Sequence, residues 1–93
     1  MRLRWTEPAV RDLTSICDYI EKHGSAVISR RVAVSIYDQV TFLRKFPEMG
    51  RTGRKPETRE LVLNRLPYLA IYRIRNGTIE ILRILHGAQN WPE

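Results

Sequence analysis

The 93-residue sequence has one cysteine, Cys17, and only two histidines, His23 and His86. A single cysteine excludes an internal disulfide and a thiolate zinc site, and the two histidines do not stand at ligand spacing. No glycine-rich phosphate loop ending in Lys-Ser/Thr occurs. No apolar run approaches the ~20 residues of a membrane helix. The start, Met1-Arg2-Leu3-Arg4-Trp5, lacks the apolar centre of a secretory signal. These absences predict a cytosolic protein without membrane association, and they imply no metal or organic cofactor. Length fits one domain over residues 1–93. With 28% charged and 43% hydrophobic residues, the composition is that of a folded chain.

What is abundant is arginine. Sixteen basic residues face ten acidic ones, for a net charge of +6, and thirteen of the sixteen are Arg. Residues 1–43 hold six basic and five acidic side chains, whereas residues 44–93 hold ten and five. The rigid guanidinium fork suits phosphate and carboxylate, so the second half points to an acidic partner: nucleic acid or an acidic protein segment.

Met1, Leu3 and Trp5 alternate with Arg2 and Arg4, the period of a short strand. Thr6-Glu7-Pro8 reads as a helix start. Val10, Leu13, Cys17 and Ile20 then form an apolar stripe. Cys17 inside that stripe reads as a small buried hydrophobe. His23-Gly24 closes the helix, with Gly24 expected in the left-handed conformation and His23 near the last carbonyls. Ser25 caps a second helix with its stripe on Ile28, Val32, Ile36, Val40 and Leu43, ended by Pro47. So short a turn makes the two helices antiparallel. After a Gly/Pro-rich loop over 47–58, strands are expected at Glu60–Asn64, Tyr68–Arg75 and Thr78–His86. Asn76-Gly77 is the hairpin signal between the last two.

The expected fold is α+β: an N-terminal strand, a two-helix hairpin, then a three-stranded antiparallel meander, with both helices on one face of a single sheet. The last strand is apolar on both faces, so the side away from the helices needs cover, and no further helix is expected to supply it. One of two sets lies there: Leu82, Ile84, Tyr72 and Ile74, or Ile79, Ile81, Leu69 and Ile71. An open, apolar and cationic face would be an interaction surface. A face sealed by the chain's own residues, with its guanidiniums matched to carboxylates, would remove that physical basis.

Chemistry has few candidates. Ribonuclease action through a 2′-hydroxyl needs a base, an acid and cations for the phosphorane. Glu57 and His86 fit the first two roles, and Arg65, Arg73 or Arg83 the third. Arg73 and Arg83 interrupt apolar strands, with Glu80 a candidate cross-strand partner for either. Gly50-x-x-Gly53 is too short a match to an RNA clamp to be specific.

Residues 59–92 contain Arg-Glu-Leu-Val-Leu, Pro-Tyr-Leu-Ala-Ile-Tyr-Arg-Ile and Ile-Leu-Arg-Ile-Leu-His-Gly-Ala-Gln-Asn-Trp-Pro. With Pro47-x-Met-Gly-Arg and the helix hairpin, the chain resembles RelE/ParE-superfamily toxins of bacterial type II toxin–antitoxin modules over essentially its whole length. The resemblance implies a toxin held inactive by a cognate antitoxin; burial of the uncovered sheet face by self-association, as a homodimer, is the alternative expected in its absence. It implies one of two targets: DNA gyrase, poisoned by ParE-like members, or mRNA, cut on the ribosome by RelE-like members. The nuclease branch typically has Tyr-Arg-Leu-Val-Tyr where this chain has Pro67-Tyr68-Leu69-Ala70-Ile71. Tyr68 thus stands at an arginine position, and Gly87 and Ala88 stand where basic and aromatic residues are usual. A phenol does not replace a guanidinium opposite a phosphorane, so the gyrase branch is favoured. Binding of antitoxin or target is expected at Arg59, Arg65, Tyr68, Tyr72, Arg73, Arg83, His86 and Trp91.

Overall fold

The computed structural model describes residues 1–87 and Trp91. Strand β1 (Arg2–Trp5) is followed by helices α1 (Glu7–His23) and α2 (Ala26–Thr41) and a 3-10 turn at Phe42–Arg44. Strands β2 (Arg51–Thr52), β3 (Arg59–Val62), β4 (Tyr68–Arg75) and β5 (Thr78–His86) complete one sheet of order β1-β5-β4-β3-β2. The α+β architecture is as expected, with two additions. The two-residue β2 extends the sheet, and β1 runs parallel to β5, so the sheet is mixed.

The helix caps follow from the sequence. Thr6 Oγ1 accepts the Ala9 N–H at 3.4 Å and donates to the Ile81 carbonyl at 2.8 Å, tying the start of α1 to β5. Ser25 Oγ accepts the Ile28 N–H at 3.0 Å. His23 Nδ1 lies 3.0 Å from the Tyr19 carbonyl, and the two rings stack at 4.2 Å. Gly24 departs from expectation: its φ of −143° is not left-handed. A Cβ there would lie 2.9 Å from the Ile20 carbonyl oxygen, so glycine is required by close approach.

The core lies between the helices and the sheet. Ile36, Val40 and Leu43 pack on Tyr72, Ile79, Ile81 and Ile84, all 2% exposed or less. Burying each such side chain stabilises by roughly 1.5–3 kcal/mol before entropy is counted. In α1 the buried stripe runs through Ala9, Leu13 and Ile16, whereas Val10 is exposed. Ala9 has no bulk, which lets α1 sit close to β5. Ser29 Oγ donates to the Cys17 carbonyl at 2.8 Å, and Cys17 is half-buried at this helix crossing.

A β-bulge decides which residues face the helices. Ile71 opposes Arg83, but Tyr72 opposes Ile81, so Leu82 is the extra residue. Ile81 and Ile84 therefore share one face despite their odd spacing, and neither predicted set lies wholly on one side. Asn76 (φ 52°) and Gly77 (φ 72°) make the tight turn that their sequence announced.

Tyr72 is completely buried and organises the loop after α2. Its hydroxyl donates to the Pro47 carbonyl at 2.7 Å and accepts the Gly50 N–H at 2.9 Å. Burial raises its pKa, with the Gly50 N–H pulling the other way. A Cβ on Gly50 would lie 2.6 Å from the Tyr72 ring, and Gly53 fits as closely against Thr58, to whose carbonyl its N–H donates at 2.8 Å. Both glycines of the Gly-x-x-Gly pair thus serve packing. Tyr72→Phe leaves the Pro47 carbonyl and Gly50 N–H unsatisfied and should cost about 1–3 kcal/mol in urea unfolding, with no change in m-value.

Candidate functional site

The face of the sheet away from the helices carries Arg73 and Trp91. Tyr68 and Tyr72 pack into the helix-side core, with Arg59 and His86 opposite them on the same side. The far face is not bare. Leu69, Ile71 and Leu85 are 8% exposed or less, packed with Leu82 and with Trp91 from the tail. The Lys55 ammonium lies 5.8 Å from the centre of the Trp91 ring. A small second core therefore closes the middle of this face.

Its guanidiniums are largely matched as well. On one flank, Glu60 is 2% exposed and accepts Arg51 Nη2 at 3.1 Å, Arg54 Nε at 3.2 Å and the Arg54 N–H at 3.1 Å. Burial pushes its pKa up, but these donors prevail and hold it below the ordinary value. On the other flank, Glu80 pairs with Arg4 of β1 and accepts Arg73 Nε at 2.6 Å. The Arg4 and Arg73 hydrogen bonds hold the Glu80 carboxyl at about 2, well below its ordinary 4.5. Glu80 was expected opposite Arg73 or Arg83; it takes Arg73.

Arg83 belongs to Asp12 of α1, in a bidentate pair at 2.7 and 3.0 Å. The same carboxylate accepts the Ile84 N–H at 2.9 Å. Strand β1 ends opposite Ile81, so the Asp12 side chain supplies the backbone partner that β5 lacks beyond that point. The expectation of an open cationic face is corrected for its middle, where apolar cover comes from Trp91 and carboxylates from Asp12, Glu60 and Glu80, while Arg2 and Arg75 at one corner stay exposed.

Other predicted binding residues also have internal tasks. Tyr72 is completely buried. Arg59, its cross-strand neighbour, donates to the Gly50 carbonyl at 2.8 Å and to the Glu48 carbonyl at 3.3 Å, clamping the same loop. Tyr68 meets His86 edge to face at 5.9 Å. Glu57 and Arg65 are exposed, each in a left-handed loop conformation with φ of 65° and 62°.

The nuclease candidates are distributed, not assembled. Arg65 follows β3, and the Gly87 N–H donates to the Pro67 carbonyl at 2.8 Å, so Arg65, Tyr68 and His86 lie at one end of the sheet. Glu57 precedes β3 at the opposite end of that strand. Arg59, two residues on, aligns through Tyr72 with Ile81, whereas His86 aligns with Tyr68. Two strand spacings and four residues separate Arg59 from His86, roughly 16 Å. Ala88 lies outside the described residues.

Open apolar surface lies elsewhere, on the outer side of α2. Val34 (52% exposed), Phe42 (52%) and Val62 (57%) lie along two adjoining grooves of about 550 and 460 Å³ that share Asp38 and Gln39. The first is rimmed by Arg30 and Arg31; the second ends at Met49 and Val62. Gln39 fixes the end of β3 by accepting the Asn64 N–H at 2.6 Å and donating to the Asn64 carbonyl at 3.1 Å. The sequence gives little sign of this surface, because α2 is apolar on its outer side as well as its inner one. None of the described helices is long and apolar enough to cross a membrane.

A helix hairpin on a five-stranded mixed sheet, studded with arginine, is the architecture of the small RelE/ParE-type toxins. The model of the ParE toxin family of type II toxin–antitoxin systems, parDE, matches residues 3–91, and the chain belongs to this family. Y4kP of Sinorhizobium fredii, a protein assigned as a toxin, is 45% identical over 92 residues, covering 99% of this chain and 94% of its own. Toxin RelE2 of Caulobacter vibrioides is 36% identical over 85 residues, covering 91% and 93%. Among solved structures, the chromosomal ParDE toxin–antitoxin system of P. aeruginosa superposes with a TM-score of 0.88 at 32% identity, over 92% of this chain and 95% of that one. The toxin–antitoxin complex RelBE2 of Mycobacterium tuberculosis shares the fold, with a TM-score of 0.64 at 23% identity over 95% and 92%.

The Glu80 pairs carry a pH signature. A carboxyl lowered from 4.5 to about 2 on folding adds stability above pH ~4.5 and loses it as pH falls toward 2. Glu80→Gln should be less stable than the wild type at pH 7 in urea unfolding, and the two curves should converge near pH 2.

Proposed function

We propose that this toxin arrests growth by occupying DNA gyrase, not by cutting mRNA, and that its antitoxin silences it by lying along the α2 grooves. The separation of Glu57 from His86 supports the first part. An acid and a base that share one phosphate must both reach it within hydrogen-bond distance, and the register puts His86 beside Tyr68 while Glu57 precedes β3, whose Arg59 aligns with Tyr72. Arg83 already spends its fork on Asp12, and Tyr68 brings a neutral phenol, its pKa raised by burial. A protein that inhibits by occupying a surface needs none of these groups to meet.

The antitoxin reading rests on chemistry at the grooves. They offer apolar side chains on a helix face, with Arg30 and Arg31 at the rim. An amphipathic, acidic segment matches both features: its apolar side seats beside Val34 and Phe42, and its carboxylates face the rim. The ParDE and RelBE2 structures above are toxin–antitoxin assemblies, which supports a partner of this kind.

Purified protein should block gyrase supercoiling of a relaxed plasmid and leave mRNA intact in a translating extract. His86→Ala and Glu57→Gln should retain growth inhibition. Codon-specific mRNA cleavage that disappears in both variants would establish the RelE-like alternative instead. Val34→Glu should leave toxicity in place but weaken neutralisation by the antitoxin encoded beside the gene, by tenfold or more in toxin–antitoxin affinity (about 1.4 kcal/mol or more).

A further inference from the structure

We infer that the corner of the sheet bearing Arg2, Arg4, Arg73 and Arg75 is a binding site for the phosphate backbone of a nucleic acid. The inference is independent of the target proposed above. It starts from strand register. Arg2 of β1 and Arg75 of β4 both oppose Thr78, one on each side. Arg4 and Arg73 likewise oppose Glu80. Side chains two apart on a strand share a face, so the six residues form two parallel rows on one surface. The rows are roughly 7 Å apart along the strands, and the outer columns are roughly 10 Å apart across them.

The two rows are not equivalent. Glu80 bridges Arg4 and Arg73, which fixes both guanidiniums in place and neutralises one of them. Arg2 and Arg75 are exposed, and neither forms a hydrogen bond or ion pair among the described residues. Four guanidiniums against one carboxylate leave three net positive charges on this corner. A shallow cavity of about 350 Å³ lies among these side chains, with Thr78 and Asn76 adding a hydroxyl and an amide to its lining.

The composition of the corner selects the ligand class. A protein partner would need an apolar centre to its interface, and none of the exposed large hydrophobic side chains lines this cavity. A dense array of guanidiniums carrying a net positive charge suits a polyphosphate chain, whose binding is driven by counterion release. Nothing in the corner is shaped to read base edges, so the binding is independent of sequence.

The test is fluorescence anisotropy of the full chain with two labelled probes of arbitrary sequence, a short DNA duplex and a single-stranded RNA, over a range of NaCl concentrations. On the duplex, log K against log salt should slope near −2.7, for about three neutralised phosphates. Arg2→Gln with Arg75→Gln should weaken binding about tenfold or more at low salt and reduce the slope by about 2. Lys22→Gln with Lys45→Gln removes the same charge elsewhere and should leave the slope nearly unchanged. Loss of binding by the arginine pair on either probe, with an unchanged circular dichroism spectrum and melting temperature, upholds the site. Binding of neither probe overturns it, as does an equal effect of the lysine pair. Poly-glutamate binding as tightly as the nucleic acids, with the same loss in the arginine pair, would assign the corner to acidic polypeptides and refute the nucleic-acid reading.

Discussion

Strand β5 must be buried on both faces, and the rest of the molecule follows from that demand. Ile79, Ile81 and Ile84 turn toward the helices, while Leu82 and Leu85 turn the other way. The helix hairpin covers the first group. Trp91 covers the second, with Leu69 and Ile71 beside it. The bulge at Leu82 is what lets both sides fill, because it shifts the alternation by one residue halfway along the strand. Thr6 sits at this bulge and donates to the carbonyls of both Ile81 and Leu82, so the start of α1 is anchored where the strand is irregular.

Charge is distributed around this apolar centre by pairing. Asp12, Glu48, Glu60 and Glu80 together hold Arg83, Arg59, Arg51, Arg54, Arg4 and Arg73. The exposed members of such pairs contribute little to stability. Glu60 differs, since a carboxylate so deeply buried is costly without its donors. It fixes the loop between β2 and β3 as Arg59 and Tyr72 fix the loop before β2. Several arginines that look functional in a linear reading, Arg59, Arg73 and Arg83 among them, form ion pairs within the chain. Among the surfaces that this pairing and the core leave exposed are the outer side of α2 and the corner around Arg2 and Arg75.

Membership in the ParE toxin family therefore does not depend on an open sheet face. The proposed antitoxin site and the proposed phosphate site are two separable surfaces. Apolar grooves and cationic rows have different chemistries and lie on different elements, which permits that separation. Both rest mainly on helices and strands, whose backbone positions are fixed by the core, with Met49 joining the second groove from the loop that Tyr72 holds down.

Much was written in the chain itself. Period-two alternation gave β1, Thr6 and Ser25 marked the helix starts, Asn76-Gly77 set the last hairpin, and the limits of β4 and β5 were legible to the residue, because each rests on contacts between near neighbours. The Ile-Leu-Arg-Ile-Leu-His-Gly block and the helix hairpin carried the resemblance to the toxins. Long-range pairing was invisible: that β1 lies parallel to β5, that Asp12 meets Arg83 across 71 residues, and that Trp91 returns to seal the far face. No local pattern encodes which strand edge or carboxylate a residue will meet, since that is settled by how two buried faces compete for cover. Composition set how many guanidiniums the molecule has. Only the folded arrangement determined which of them remain available.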